Sequence, residues 1–426
     1  MNSKPEKIAI IGLGYVGLPL AIALAEHFPC LGFDINPERV KDLEAGHDRT
    51  HEIPDEILKQ TSLKYTFEEK DIEDADVYII TTPTPIDEKN HPDLGPVMAA
   101  CKSVSHYLKK GNVVILESTV FPGVTEERCG PELEHGSGLR SGVDFFLGYS
   151  PERVNPGDKQ HTINKITKVI AGQTTETTDL LETIYGAITG GNIYRARNIK
   201  TAEASKVIEN AQRDLNIAFI NEAAMIFKQA DLSIYDVLDA ARTKWNFLDF
   251  TPGLVGGHCI GVDPYYLTHF ANDLGMEAEL IMTGRRTNDA MASFVANDIS
   301  NSLEKGNRVL VLGLTFKENV PDLRNSKTVD LIWALKQKGL LVDVYDPVAD
   351  PEEVKAEFGI QLLPTLGPKQ GEDKFDAIIG SVAHDAFKDL KETDFAAALK
   401  KDGLIADIKG LWRHLTFSNG FQRWNL

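Results

Sequence analysis

One cysteine sits among glycines in Gly256-Gly257-His258-Cys259-Ile260-Gly261-Val262-Asp263, with a carboxylate four residues on. A thiolate at Cys259 could attack a carbonyl carbon and hold it covalently. The flanking glycines, Gly256 among them, would let a substrate approach the sulfur closely. The chain opens with a second chemical signature, Gly12-Leu13-Gly14-Tyr15-Val16-Gly17, of the kind that binds dinucleotides. A covalent carbonyl trap combined with a hydride acceptor implies an oxidation carried past the aldehyde. The chemistry expected is therefore a four-electron conversion of an alcohol to an acid.

Those residues need a scaffold. Lys7-Ile8-Ala9-Ile10-Ile11 reads as a buried strand, followed by the glycine loop, a helical pattern over 18–27 and a second strand, Cys30-Leu31-Gly32-Phe33. Asp34 closes that strand twenty residues after Gly14. Gly12 permits the tight turn, Gly14 lets the backbone approach a pyrophosphate, and Gly17 lets the helix pack closely on the strand. The helix N-terminus offers unpaired N–H groups to phosphate. Asp34 can accept both ribose hydroxyls and would repel a 2′-phosphate, so NAD is favoured over NADP, although Arg39 five residues on works against that preference. An apolar run over 8–25 behind Lys4 and Lys7 imitates a secretory signal, but Gly12, Gly14, Gly17 and Pro19 speak for the nucleotide loop instead.

Strand and helix go on alternating through 75–80, 113–116 and 145–149. The loops that follow carry polar candidates: Thr82, then Glu117-Ser118-Thr119, then Ser150-Pro151-Glu152-Arg153-Val154-Asn155-Pro156-Gly157. Such positions, at the carboxyl edge of a parallel sheet, are where ligands bind; each could also be an ordinary turn.

A helix without proline or glycine is predicted over 201–231, long enough to bridge domains or build a dimer interface. Glu203, Lys206 and Asn210 share one face, which Asn221 extends, and the ordinary reading of such a face is a solvated stripe with an i, i+3 ion pair. Ala204, Val207, Ile208, Ala211, Leu215, Ala218 and Phe219 form the expected packing side. A nearby Lys206 would lower the Cys259 thiol pKa and stabilise an oxyanion. Asp263 could serve as acid or base, or simply cap a helix opened by Pro264. His258 is expected to pack or to bond backbone.

After Asn301 the pattern restarts, with strands at 308–313, 340–345, 377–380 and 404–406 and a helix over 328–338. Asp346 ends the second of these strands as Asp34 does in the first domain, but Thr315-Phe316-Lys317-Glu318 replaces the glycine loop. This predicts a doubly wound domain that no longer binds a dinucleotide and is available for another phosphate-bearing group, with Lys317 and Arg324 as the cations. The expected class is α/β: two doubly wound Rossmann-like domains joined by a long central helix, divided as 1–198, 199–300 and 301–426.

Composition narrows the alternatives. A formal net charge of −18 argues against nucleic acid as a partner. Four cysteines, Cys30, Cys101, Cys129 and Cys259, lie far apart, with no CxxC pair and no zinc spacing. That predicts no metal and free thiols in a reducing, cytoplasmic compartment. No run reads as a membrane span.

Taken in order, Gly12-x-Gly14-x-x-Gly17, Glu117-Ser118-Thr119, Ser150-Pro151-Glu152-Arg153, Lys206-x-x-x-Asn210, Gly256-Gly257-His258-Cys259, and Phe316-Lys317 with Arg324 resemble the UDP-glucose/GDP-mannose dehydrogenase family over essentially the whole chain. Trp245-Asn246-Phe247-Leu248 and the segment 252–267 look like its branch acting on UDP-N-acetylhexosamines, which makes uronic acids for surface polysaccharides such as capsule and O-antigen. The resemblance implies NAD as cofactor, with Tyr15, Val16, Arg39, Thr82 and Thr119 beside the glycines and Asp34. It implies Cys259 as nucleophile, with Lys206 and Asp263 handling protons and the oxyanion and Asn210 binding oxyanion and sugar. Thr119 and Glu152 would position and activate water, and Lys317 and Arg324 would contact a UDP-sugar, with Glu152, Arg153, Lys206, Asn210 and Gly256 lining its site. UDP-N-acetylglucosamine is slightly preferred as substrate. The glucose pattern has Ser before the cysteine and Phe-Pro-Lys after it; here His258 and Ile260-Gly261-Val262 stand there. The family also sends an arginine into the partner subunit of a homodimer or larger oligomer; that position is Thr243 here, leaving Arg242 or Lys244 to replace it.

Overall fold

Short apolar runs become strands buried on both faces, as parallel sheets covered by helices require. The computed structural model describes residues 4–50, 52–152, 164–418 and 420–426. In the first sheet these strands are β1 (Ile8–Ile11), β2 (Cys30–Phe33), β3 (Lys64–Thr66), β4 (Val77–Ile80), β5 (Val113–Leu116), β6 (Phe146–Tyr149), β7 (Lys168–Gly172) and β8 (Ile193–Arg195). Their order is β3-β2-β1-β4-β5-β6-β7-β8, so the winding reverses between β1 and β4. Neighbours run parallel except β6 and β7, which pair antiparallel through Gly148 with Gly172 and Tyr149 with Ala171. That reversal brings the first residue of β7 to the edge where β5 and β6 end.

The second sheet holds β9 (Arg308–Leu312), β10 (Leu341–Tyr345), β11 (Phe375–Gly380), β12 (Leu399–Asp407) and β13 (Gln422–Asn425), all parallel, in the order β10-β9-β11-β12-β13. β3, β7, β8 and β13 were not foreseen. β3, β8 and β13 are polar edge strands of three or four residues, and β7 opens on a lysine.

The long helix runs Ile199–Gln229, two residues earlier at each end than expected. The chain groups into two compact units, Met1–Glu209 with Tyr265–Glu277, and Asn210–Pro264 with Ala278–Leu426. The division falls inside that helix. In the first unit, Ile8, Ile10, Val77, Ile79, Val113 and Ile115 pack with Leu18, Ala21, Leu181 and Ile184 from the covering helices. In the second, Val309, Val311 and Ile379 pack with Met291, Val295 and Ile299 on one face, and Leu310, Leu312 and Ile378 with Phe387, Phe395 and Trp412 on the other. Cutting such a side chain to Ala costs roughly 2–5 kcal/mol. No described helix is long and apolar enough to cross a membrane.

Candidate active site

The glycine loop is built as a ligand cradle. Gly12 takes φ +100°, and its N–H donates to the Phe33 carbonyl at 2.8 Å, tying loop to β2. A Cβ on Gly17 would lie 1.9 Å from the Gly12 carbonyl oxygen, so only glycine lets the helix Gly17–Ala25 approach this closely. A Cβ on the exposed Gly14 would meet nothing within 4 Å, which is the open space a pyrophosphate needs. No side chain caps the helix at Val16, leaving its start to an anion. Asp34 accepts the Leu13 and Asn36 N–H groups at 2.8 and 2.9 Å and stays part-exposed at the end of β2. The buried Thr82 hydroxyl, past β4, has no hydrogen-bond partner among the described residues. These features fit NAD. Arg39 is buried; its Nε donates to the Leu13 carbonyl at 2.9 Å and Nη1 lies 2.8 Å from Asp48. Its charge is thus already matched by a carboxylate.

Beyond β5 and β6 the same edge carries Thr119 and Glu152. The half-buried Thr119 has its carbonyl held by the Thr84 hydroxyl at 2.8 Å. Glu152 lies 3.6 Å from the ammonium of Lys168, a fully buried residue that sequence reasoning missed. Lys168 also pairs with Glu117. Burial pushes Glu117 up to about 7, against the pull of Lys168. Burial alone would lower Lys168, but Glu117 and Glu152 hold it charged. Arg153, and 154–157 with it, lie outside the described residues.

The polar face of the long helix is not a solvated stripe. Glu203, Lys206, Asn210, Asp214 and Asn221 are all buried, whereas Ile208 and Phe219, expected to pack, are 60% and 65% exposed. Glu203 does not pair with Lys206. Its carboxylate takes the Gly123 N–H at 2.5 Å and the Thr125 N–H and hydroxyl at 2.9 and 2.6 Å, and burial pushes it up to about 7. Lys206 is left 7% exposed with no ion pair or hydrogen bond among the described residues. An ammonium on a largely buried residue with no protein acceptor is a ready partner for an arriving anion. In the second unit, Asn221 binds Gly253 at both N–H and carbonyl, and Asp214 pairs with Arg285.

Also in the second unit, Asn210 donates to the Asp263 carboxylate at 2.5 Å. The Asp263 N–H donates to the Cys259 carbonyl at 2.8 Å. The following helix runs Asp263–Asp273, so Asp263 opens it, while its side chain binds Asn210. Cys259 itself is half-buried in a turn. Asn325 clamps that turn: its carbonyl accepts the Gly257 N–H at 3.2 Å and its side chain donates to the Gly257 carbonyl at 2.9 Å. A Cβ on Gly256 would lie 2.4 Å from the same Asn325 carbonyl. His258 does more than pack. Its ring lies edge-on to Phe316, with Nδ1 3.6 Å from Asp322 and Nε2 3.4 Å from Arg324.

Arg324 is part-exposed and forks onto Asp322, and Lys317 is half-buried past β9. A third cation of the second unit went unnoticed in the sequence. Lys409 follows β12, its ammonium sits beside Gly253, and burial lowers its pKa against the opposing pull of Glu318. Only its place after a strand end in Asp407-Ile408-Lys409-Gly410 could have flagged it. Of the cations beside Thr243, Arg242 is engaged by Asp239 and Asp249, while Lys244 is exposed and unpaired among the described residues.

The predicted residues thus fall into two sets. The first unit holds Gly12, Gly14, Tyr15, Val16, Gly17, Asp34, Arg39, Thr82, Thr119, Glu152 and Lys206; the second holds Asn210, Gly256, Cys259, Asp263, Lys317 and Arg324.

Known proteins share this organisation. Residues 6–189 match the NAD binding domain of the UDP-glucose/GDP-mannose dehydrogenase family, 200–290 its central domain, and 310–414 its UDP binding domain. Protein CapL of Staphylococcus aureus is 48% identical over 95% of this chain and 96% of its own length. A UDP-N-acetyl-D-glucosamine 6-dehydrogenase of Pseudomonas aeruginosa is 48% identical over 96% and 97%. A solved UDP-D-ManNAc dehydrogenase from Pyrococcus horikoshii superposes with a TM-score of 0.87 at 31% identity, covering 98% of both chains. The chain therefore belongs to the UDP-glucose/GDP-mannose dehydrogenase family, as an NAD-dependent oxidoreductase carrying the family's three domains in order.

Proposed function

We propose that this enzyme oxidises C6 of UDP-N-acetylglucosamine to the uronic acid, removing four electrons through a covalent ester on Cys259, and that it supplies a surface-polysaccharide precursor. The Lys206 ammonium, on a residue only 7% exposed and without an ion pair or hydrogen bond among the described residues, supports this reading most: it suits a negatively charged oxygen that exists only during the reaction. NAD, bound at the first glycine loop, supplies the hydride acceptor.

Lys317 and Arg324 hold the diphosphate, and Gly256 lets the Asn325 backbone close on the cysteine turn that faces the sugar. A proton leaves the C6 hydroxyl to the Asp263 carboxylate, directly or through water, and C6 gives up a hydride. The Cys259 thiolate adds to the resulting aldehyde, and Lys206 with Asn210 stabilises the oxyanion of the thiohemiacetal. The second oxidation leaves a thioester. Thr119 then positions water and Glu152 takes its proton; the new C–O bond forms as the C–S bond breaks. Domains at 1–198, 199–300 and 301–426 divide these tasks, in a cytoplasmic homodimer or larger homo-oligomer.

A panel of UDP-glucose, UDP-N-acetylglucosamine, UDP-N-acetylgalactosamine, UDP-N-acetylmannosamine and GDP-mannose, each assayed for NADH, tests the substrate. UDP-N-acetylglucosamine should give the highest kcat/KM, and exclusive turnover of UDP-glucose would overturn the assignment. Cys259→Ser should abolish net turnover or stall at a bound intermediate; unchanged turnover would remove the covalent mechanism.

A further inference from the structure

Lys168 has no part in the mechanism above, yet among the described residues it is a wholly buried cation at the ligand edge of the first sheet. It opens β7 and is wholly inaccessible. Because β7 runs against β6, its first residue lies where β5 and β6 end, beside Glu117 and Glu152. An ammonium has three donors. At Lys168 they face three acceptors: Glu117 Oε1, the Pro151 carbonyl at 3.0 Å, and Glu152 Oε2 at 3.6 Å. The second oxygen of Glu117 is closed off by the Tyr185 hydroxyl at 2.7 Å, from the helix Thr175–Ile188. The Tyr185 ring packs 5.2 Å from the ammonium.

We infer that Lys168, locked in place by Glu117 and Tyr185, is a positioning residue that holds Glu152 for hydrolysis of the thioester. This rests on the water-activating part given to Glu152 above. The geometry favours that use over a purely structural one. A buried ion pair is a poor source of stability, because apolar residues of similar volume hold a fold as well or better. What this pair adds is an arm to a carboxylate that is itself 13% exposed, while Glu117 and Lys168 are both sealed. Lys168 also grips the Pro151 carbonyl, so it fixes the backbone entering Glu152 as well as its side chain. In the step concerned, Glu152 takes one proton from water, the water oxygen bonds to the acyl carbon, and the C–S electron pair leaves on Cys259. The ammonium fixes the direction in which the carboxylate meets that water. It neither gains nor loses a proton.

The test is stopped-flow NADH formation by the full-length enzyme with the UDP-sugar that the panel selects, followed by intact-mass analysis of the quenched protein. Lys168→Met should keep a burst of two NADH per active site. Its steady-state rate should fall on the order of 100-fold, as a misplaced catalytic group requires, with a sugar-derived adduct accumulating on Cys259. Glu152→Gln should stall at the same ester, and Lys168→Arg should recover part of the rate. Should Lys168→Met fail to fold, Glu117→Leu/Lys168→Met replaces the buried pair with apolar side chains and should show the same stalled ester. Burst and steady state falling together, or a double variant turning over at the wild-type rate, would overturn the inference. A wild-type enzyme that releases one NADH per sugar would instead refute the underlying mechanism.

Discussion

Two segments of this chain share one framework and differ at one point. In the first unit β1 leads to Gly12 at φ +100°, whose N–H meets the Phe33 carbonyl at 2.8 Å, and Leu13 N–H meets Asp34 at 2.8 Å. In the second, β9 leads to Gly313 at φ +92°, whose N–H meets the Tyr345 carbonyl at 2.9 Å, and Leu314 N–H meets Asp346 at 2.5 Å. The next residue separates them. Gly14 is open, whereas Thr315 is buried and its N–H also goes to Asp346, at 3.1 Å. His384 completes the plug: Nε2 lies 3.1 Å from Asp346 and 3.2 Å from the Thr315 hydroxyl, and Nδ1 accepts the Asn319 N–H at 2.9 Å. Burial alone would raise Asp346, but His384 and the backbone N–H groups outweigh it and hold the carboxyl well below the usual range. The acid that can greet a ribose in one unit is used up by its own loop in the other. A Rossmann-like strand order therefore marks a place for a nucleotide, and the residue after the turn decides whether the loop can accept one.

Filling the open loop should break that difference with the largest effect. A Cβ on Gly14 clashes with no protein atom, so Gly14→Val should fold normally. It should lose NAD affinity on the order of 100-fold, about 2.7 kcal/mol, while UDP affinity stays put. Calorimetric titration with each ligand checks both, and unchanged NAD affinity would show that the cofactor does not use this loop.

Next in size is the plug. His384→Ala strips a partner from a buried carboxylate, which should cost roughly 1–3 kcal/mol of stability and leave NAD affinity unaltered. Asp34→Asn should do the reverse, weakening NAD about tenfold, or 1.4 kcal/mol, with little change in stability. Urea unfolding and NAD titration on both variants distinguish the two carboxylates; matching profiles would erase the contrast.

A comparable effect shows only as a pH dependence, at Glu203 in the first unit. Glu203 holds its proton more tightly folded, at about 7, than at its ordinary value of 4.5. Its contribution to stability is complete below about 4.5 and is lost as pH rises through about 7. Glu203→Gln should therefore gain on the wild type by roughly 1–3 kcal/mol between pH 5 and pH 8 in urea titrations. Parallel curves for the two proteins would contradict this.

Both doubly wound patterns were legible because their strands are apolar, glycine-bounded and ended by Asp34 and Asp346. The glycine loop declared itself through order as well as spacing. What stayed hidden needed the third dimension. The Glu203–Lys206 spacing suggests an ion pair on a wet face, yet Glu203 is consumed by the N–H groups of Gly123 and Thr125, some eighty residues away in sequence. Lys168 opens a run that otherwise looks like ordinary buried strand, and only the antiparallel turn of β7 makes it a neighbour of Glu152. Likewise Asn325 gives no sign in the sequence that it grips the cysteine turn.

The decisive question is whether Cys259 carries the substrate through two oxidations. Counting NADH against uronate released from a limiting amount of UDP-sugar tests this directly. Two NADH per uronate, with no free aldehyde, is the predicted result. One NADH per sugar consumed, with the aldehyde or ketone recovered as the product, would contradict it.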